Sequence, residues 1–214
     1  MTPRELLQSG AKELGIPLTI EQVNTLFIYL TELKKWNEKI NLTAIKDEQD
    51  IIIKHVLDSL SHVKAFAPAP GLRLLDMGSG AGFPALPIKI AFPEISVSMV
   101  DSVKKKASFL RHIVRTLRLT SAEVFDVRTQ ELPDALHATF DIVTARAFAD
   151  MHAAIIAGVP FLKPGGMMVL SRGPEELITL PEMTRAGVVM EKRIDLTLPH
   201  SDYKRSIWVF RKPG

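Results

Sequence analysis

The apolar positions of this chain keep a helical spacing up to residue 66 and lose it at 67–71. From 20 to 33, Ile20, Val23, Leu26, Phe27, Leu30 and Leu33 follow the i, i+3, i+4, i+7 spacing of a single helix face. The same spacing returns over 48–66 with Ile52, Val56, Leu60 and Val63 inward, and residues 1–66 read as helical throughout. APAPG at 67–71 then breaks the pattern, because proline removes backbone donors and glycine favours turns. The expected organisation is a helical N-terminal extension (1–66) and a second region (67–214), built as one unit.

Beyond the break, short β-type runs alternate with stretches long enough for crossover helices. Leu72–Asp76, Ile95–Asp101, Ala122–Asp126, Phe140–Ala145 and Gly166–Ser171 are the strand candidates. Alternation of this kind predicts an α/β fold with a parallel sheet covered on both faces. Near the end, Val188–Leu198 and Ser206–Arg211 are separated by PHSDYKR, too short for a helical crossover, so an antiparallel pair is expected there.

The first strand candidate runs into LLDMGSGAGFPALP (74–87), where Gly78, Gly80 and Gly82 occupy alternate positions. Glycines after the first strand of such a sheet let the main chain bend tightly and approach a ligand. A dinucleotide site favours G-x-G-x-x-G, and a phosphate cradle usually recruits a Lys or Arg. This bend has G-x-G-x-G spacing and no cation, and Asp76 beside it would repel an anion but suit a cationic ligand. Asp101, 23 residues after Gly78, stands where a strand-end acid can accept hydrogen bonds from a ribose. A nucleoside with a positive tail is S-adenosylmethionine. The glycines with Asp76 and Asp101 therefore point to a methyltransferase, although a ligand-free turn and a strand-end cap would use the same residues.

Composition narrows the chemistry. The chain has 214 residues, 46% of them hydrophobic, enough for one full α/β core plus a small extra element. No apolar run approaches the roughly 20 residues of a bilayer span, and the N-terminus lacks an apolar signal core, so a soluble cytoplasmic protein is expected. With no cysteine there is no disulfide framework, no thiolate zinc site and no thiol for C5 methylation of a pyrimidine. The [ND]-P-P-[YF] clamp typical of amino-group methylation is absent too: TARA (144–147) stands after the fourth strand. A ring nitrogen with a free lone pair, such as guanine N7, needs neither device, only positioning.

Net charge is a modest +3, so a polyanion partner must be argued from clustering. KKKASFLRHIVRTLR (104–118) holds six Lys/Arg and no acid. On a helix, Lys104, Ser108, Arg111, Arg115 and Arg118 fall in one stripe, with Lys105 beside it, opposite an inward face of Leu110, Ile113, Val114 and Leu117. A solvated face usually mixes signs, so this one reads as a phosphate track. Arg128, Arg146 and Arg172 are expected near the carboxyl ends of strands, the ligand edge of such a sheet.

End to end, the chain resembles the glucose-inhibited division protein B family, small-subunit rRNA guanine-N7 methyltransferases. WNEKINLTAI (36–45), KHVLDSL (54–60), LLDMGSGAGFPALPIKI (74–90), VDSVKKKASFL (100–110) and TARAFAD (144–150) carry the resemblance, and KPGG (163–166) sits where class I methyltransferases place a turn. The resemblance implies a class I methyltransferase with a seven-stranded, mostly parallel, Rossmann-like sheet. It implies S-adenosylmethionine contacts at Gly78, Phe83, Thr129–Gln130 and Arg146, with Asp101 on the ribose. It also implies a guanine of bacterial 16S rRNA as target, in free RNA, the small ribosomal subunit or an assembly intermediate. Where the family usually has an acidic pair this chain has Thr129–Gln130. The lysine of the family's LKG block is Arg172 in LSRG, and the glycine of FPGLP is Ala85. His55 and Asp58 share a helix face and are placed to pair with each other. They read as structural or RNA-positioning residues, since N7 alkylation needs no general base. A monomer without metal is expected. Two other readings stay open: methylation of a protein or small molecule, and a non-catalytic RNA-binding module.

Overall fold

The computed structural model describes residues 1–146, 150–172 and 187–214. Residues 147–149 of the TARAFAD block and Gly173 of LSRG lie outside the described residues.

Helix α1 (Pro3–Glu13) and helix α2 (Ile20–Ile40) open the chain. Thr19 and Gln22 start α2 as a capping box, each side chain bonding the other's backbone N–H. Asn41 ends it in the left-handed conformation (φ 49°). Val23, Leu26, Leu30 and Leu33 of the expected face are buried and Phe27 is partly so. Ile20 is a correction: as the first residue of the helix it lies outside the packed face and is 75% exposed.

The second helical stretch, α3, is less regular than its periodicity suggests. It is α-helical at Glu48–Ile51, π-helical at Ile52–Leu57, α-helical again at Asp58–Ser61 and 3-10 at His62–Ala65. Ile52, Val56 and Leu60 are fully buried; Val63 is half-buried.

The sheet has seven strands: β1 Arg73–Met77, β2 Ser96–Val100, β3 Ala122–Phe125, β4 Phe140–Arg146, β5 Leu162–Arg172, β6 Val189–Thr197 and β7 Lys204–Arg211. Their order is β3-β2-β1-β4-β5-β7-β6, parallel from β3 to β5 and antiparallel for β7 and β6. Helices α4 (Ala85–Ala91), α5 (Lys104–Thr116) and α6 (Met151–Gly158) are the crossovers. β5 starts earlier than expected, because Leu162 already pairs with Phe140; KPGG forms an irregularity inside the strand before Met167 meets Ile142.

Alternate residues serve two cores. Leu74, Ile142, Val169 and Val209 face the cluster built with α1–α5, whereas Leu75, Val143, Met168, Leu170 and Phe210 face the cluster under α6. The N-terminal helices thus share their hydrophobic cluster with one face of the sheet. The chain runs outward from β1 through β2 to β3, then returns to lay β4 on the other side of β1. This reversal puts the topological switch point between β1 and β4, at whose carboxyl ends open α/β sheets hold ligands. Among the described residues no helix is long and apolar enough to cross a membrane, and no group of three His, Cys, Asp or Glu is placed to hold a metal.

Candidate active site

At the end of β1 the chain makes its glycine bend, closed by Gly82 N–H and Phe83 N–H donating to Ser79 O (2.7 and 3.2 Å). Gly80 has a φ of +57°, and a methyl there would meet only the Gly78 carbonyl, 3.9 Å away, so this glycine leaves open space. Gly82 differs. Its φ is +95°, and a methyl would come within 2.3 Å of Leu86 Cδ1, so its lack of a side chain serves packing against α4. Spacing alone could not separate these two roles.

The two acids flank the bend in different states. Asp101, just past β2, accepts from Gly80 N–H through Oδ2 and from Val103 N–H through Oδ1, both at 2.9 Å. It therefore caps its strand end and holds the bend to β2. Asp76 is completely buried, and neither carboxylate oxygen has a hydrogen-bond partner. The Ser79 hydroxyl bonds instead to the Asp76 main-chain oxygen (2.9 Å). Burial pushes the Asp76 carboxyl up to about 7; Ser79 and the Ala85 N–H, near but outside hydrogen-bond geometry, pull it back. The Arg146 charge lowers it as well without reaching hydrogen-bond contact. An orphaned buried acid beside a bend with no Lys or Arg of its own fits a positively charged ligand group.

Arg146 ends β4 at the same edge, and the N-terminal extension holds it there. Its Nη1 donates to Lys54 O and Asp58 Oδ2 (3.1 Å each), and Nη2 donates to His55 Nδ1 (2.9 Å). Its guanidinium lies 5.1 Å from the centre of the Phe83 ring, which also stacks on His55 at 4.6 Å. His55 and Asp58 thus do not pair with each other as expected; both reach Arg146. Phe83 is buried, its ring taken up by His55, Tyr29 and Arg146.

Asn37 clasps Thr43, giving Nδ2–H to its carbonyl (2.9 Å) and taking its N–H (2.8 Å). Asn41 supplies the left-handed stop between them, and Thr43 Oγ1 then meets His55 Nε2 at 2.7 Å. Trp36 packs on Phe109 of α5 (5.6 Å between ring centres).

Thr43 escaped the sequence reading as a site residue, as did Tyr29, whose hydroxyl donates to Ala81 O of the bend (2.5 Å), and Arg205, whose Nε donates to Asp58 Oδ1 (3.0 Å). Tyr29 carried a signal, since a polar tip sits among the buried positions of α2. Arg205 carried none, because its role depends on how β7 pairs with β5.

Of the other expected residues, Thr129 is buried and Gln130 exposed in a 3-10 turn (Thr129–Glu131) after β3, with Arg128 exposed just before it. Arg172 is the last residue of β5. Lys104, Lys105, Ser108, Arg115 and Arg118 are exposed along and just past α5, as expected. Arg111 is not free: its Nη2 binds Asp126 at 2.8 Å. Leu110 and Ile113 are fully buried, whereas Val114 and Leu117 are only half-buried.

This sheet is that of the class I S-adenosylmethionine-dependent methyltransferases. A SAM-dependent methyltransferase from Aquifex aeolicus matches with a TM-score of 0.58 at 17% identity, over 79% of this chain and 96% of that one. The [4+2]-cyclase SpnF matches with 0.61 at 16% identity, over 92% and 98%. Since one such neighbour is a cyclase, fold alone does not give the reaction.

Sequence relationships go further, and the chain belongs to the family described as rRNA small subunit methyltransferase G (GidB), whose profile matches residues 22–208. Ribosomal RNA small subunit methyltransferase G from Geobacter sp. (strain M21) is 43% identical over 210 residues, 96% of each chain. Its counterpart from Acetivibrio thermocellus is 37% identical over 215 residues, 98% of this chain and 88% of the relative. The protein is a methyltransferase.

Proposed function

We propose that this protein transfers a methyl group from S-adenosylmethionine to N7 of one guanine in bacterial 16S rRNA. It acts in the cytoplasm, as a monomer, on free RNA, the small subunit or an assembly intermediate. The observation that carries the cofactor assignment is the orphaned, buried Asp76 beside a bend that has open space at Gly80 and no Lys or Arg among its own residues. Family membership supports the rRNA target.

S-adenosylmethionine supplies an electrophilic methyl on a sulfonium, which the N7 lone pair accepts without loss of a proton. The chain's own residues therefore bind and orient. Gly78 and Gly80 give main-chain approach, Asp76 offers negative charge and Asp101 offers a carboxylate at the ribose position. Thr129 and Gln130 border the adenine side, and Phe83 and Arg146 close the β4 side. Gly82 belongs to the frame of the bend. No general base is assigned, and none is needed.

Guanine N7 in A-form RNA faces a groove too narrow for a pocket, so the base must be unpaired or extruded. Lys104, Lys105, Arg115 and Arg118 then carry flanking phosphates, with Arg128 and Arg172 nearer the sheet edge. The 1–66 extension and the 67–214 region work as one catalytic unit. The test is methyl transfer in vitro to small subunits that lack the modification, followed by borohydride reduction and aniline cleavage, which cut RNA at N7-methylguanosine. One cofactor-dependent cut is expected. Methyl incorporation with no such cut would sink the N7 assignment.

A further inference from the structure

We propose that His55 and Asp58 are positioning residues for the transfer site, acting through Arg146, which they hold at the end of β4 in one orientation. The inference rests on the reading of Arg146 as a cofactor contact.

A guanidinium has five N–H donors and no acceptor. Three of those on Arg146 are taken, by Lys54 O, Asp58 Oδ2 and His55 Nδ1. The Nε–H and one Nη2–H have no partner among the described residues. The fork is thus anchored on one part and left with two donors for a ligand.

Each anchor has its own cause. In a regular helix the Asp58 N–H would bond to Lys54 O; in the π-helical stretch it bonds to Ile53 O and His55 O, which frees the Lys54 carbonyl for Arg146. Because arginine can only donate, His55 Nδ1 must accept. The ring is therefore neutral with its proton on Nε2, where it donates to Thr43 Oγ1 at 2.7 Å. Burial, and then Arg146 itself, push the His55 pKa down to about 4, so this tautomer persists across the working range. Asp58 is 2% exposed and divides its oxygens between two strands: Oδ2 to Arg146 on β4 and Oδ1 to Arg205 on β7.

The side-chain entropy of Arg146 is thereby spent on folding rather than on ligand binding. A structural ion pair would not need the neutral imidazole; a positioned donor does, because that acceptor fixes which Nη2–H remains available.

The test uses the full chain, calorimetric titration with S-adenosylmethionine, methyl-transfer kinetics and thermal melts. His55→Leu, which removes the acceptor, should raise the cofactor Kd about ten-fold, the worth of one hydrogen bond to a charged group, and leave RNA affinity unchanged. His55→Asn, whose amide oxygen falls near the place of Nδ1, should stay within about three-fold of the parent. Arg205→Met takes away the other arginine on Asp58; it should lower the melting temperature and keep cofactor Kd within about three-fold, while Asp58→Asn should weaken both. The proposal fails if His55→Leu binds as the parent does. It fails equally if His55→Asn is as weak as His55→Leu, or if Arg205→Met loses as much affinity as Asp58→Asn. A parent chain that does not bind S-adenosylmethionine at all would instead overturn the cofactor reading, and the proposal with it.

Discussion

The hydroxyl of Tyr29 lies 2.5 Å from the carbonyl of Ala81, so helix α2 and the glycine bend share one buried hydrogen bond. Burial holds this phenol well above its usual pKa and hence protonated, able only to donate to that carbonyl. Tyr29→Phe leaves the ring and strands the Ala81 oxygen, at a cost of ~1–2 kcal/mol. Denaturant unfolding should report that loss, and titration a several-fold weaker S-adenosylmethionine affinity from a looser bend. Full affinity with reduced stability would show that the bond serves the fold alone.

Asp76 sets a pH dependence of known sign. Its folded pKa is raised from 3.8 to about 7, so the native state holds a proton that the unfolded chain releases. Stability should therefore fall as pH rises from about 4 to about 7 and then level off. Cofactor affinity should move the other way, tightening between pH 6 and 8 as the carboxylate needed by a cation forms. Asp76→Asn should flatten both profiles and bind S-adenosylmethionine weakly at pH 8. Affinity independent of pH in the parent protein would contradict the charge assignment.

The two interior glycines of the bend should respond differently to alanine. Gly82→Ala puts a methyl 2.3 Å from Leu86 Cδ1 at positive φ, an overpacking cost of ~1–3 kcal/mol visible as a lowered melting temperature. Gly80→Ala meets no side chain, so it should fold with only the strain of its φ, about 1 kcal/mol, and lose cofactor binding. If Gly80→Ala binds as well as the parent, the open space there is not ligand space.

The basic helix face can be resolved residue by residue through salt. Arg115→Ala and Arg118→Ala should each reduce the slope of log affinity for RNA against log salt by roughly 0.7–0.9. Arg111→Ala should leave the slope nearly unchanged, because Asp126 already holds that guanidinium at 2.8 Å. Being solvent-exposed and screened, that pair contributes little to stability. Equal slope changes at all three positions would argue for an RNA that displaces Asp126.

Much of the fold was readable from local pattern, and the site was readable where it too is local. The central strands stand out as short apolar runs because both of their faces are buried, and APAPG at 67–71 marks where the N-terminal helices give way to the sheet. The glycines, Asp76 and Asp101 announce themselves because bend and acids lie in consecutive segments. What the sequence did not reveal depends on long-range placement. The meeting of Asp58 with Arg146 and Arg205 joins residues 88 and 147 apart, and no periodicity encodes such a contact. The π-helical stretch is likewise silent, since Ile52, Val56 and Leu60 keep ordinary helical spacing. Ile20 erred for a local reason: a terminal helix residue shares the face's phase without sharing its neighbours.

The most direct measurement of the central claim is mass mapping of 16S rRNA from cells lacking this protein, beside the same cells with it restored. The account predicts that a single N7-methylguanosine disappears and returns with the wild-type chain but not with the Asp101→Ala or Asp76→Asn chain. An unchanged set of N7-methylguanosines in the lacking cells would contradict it.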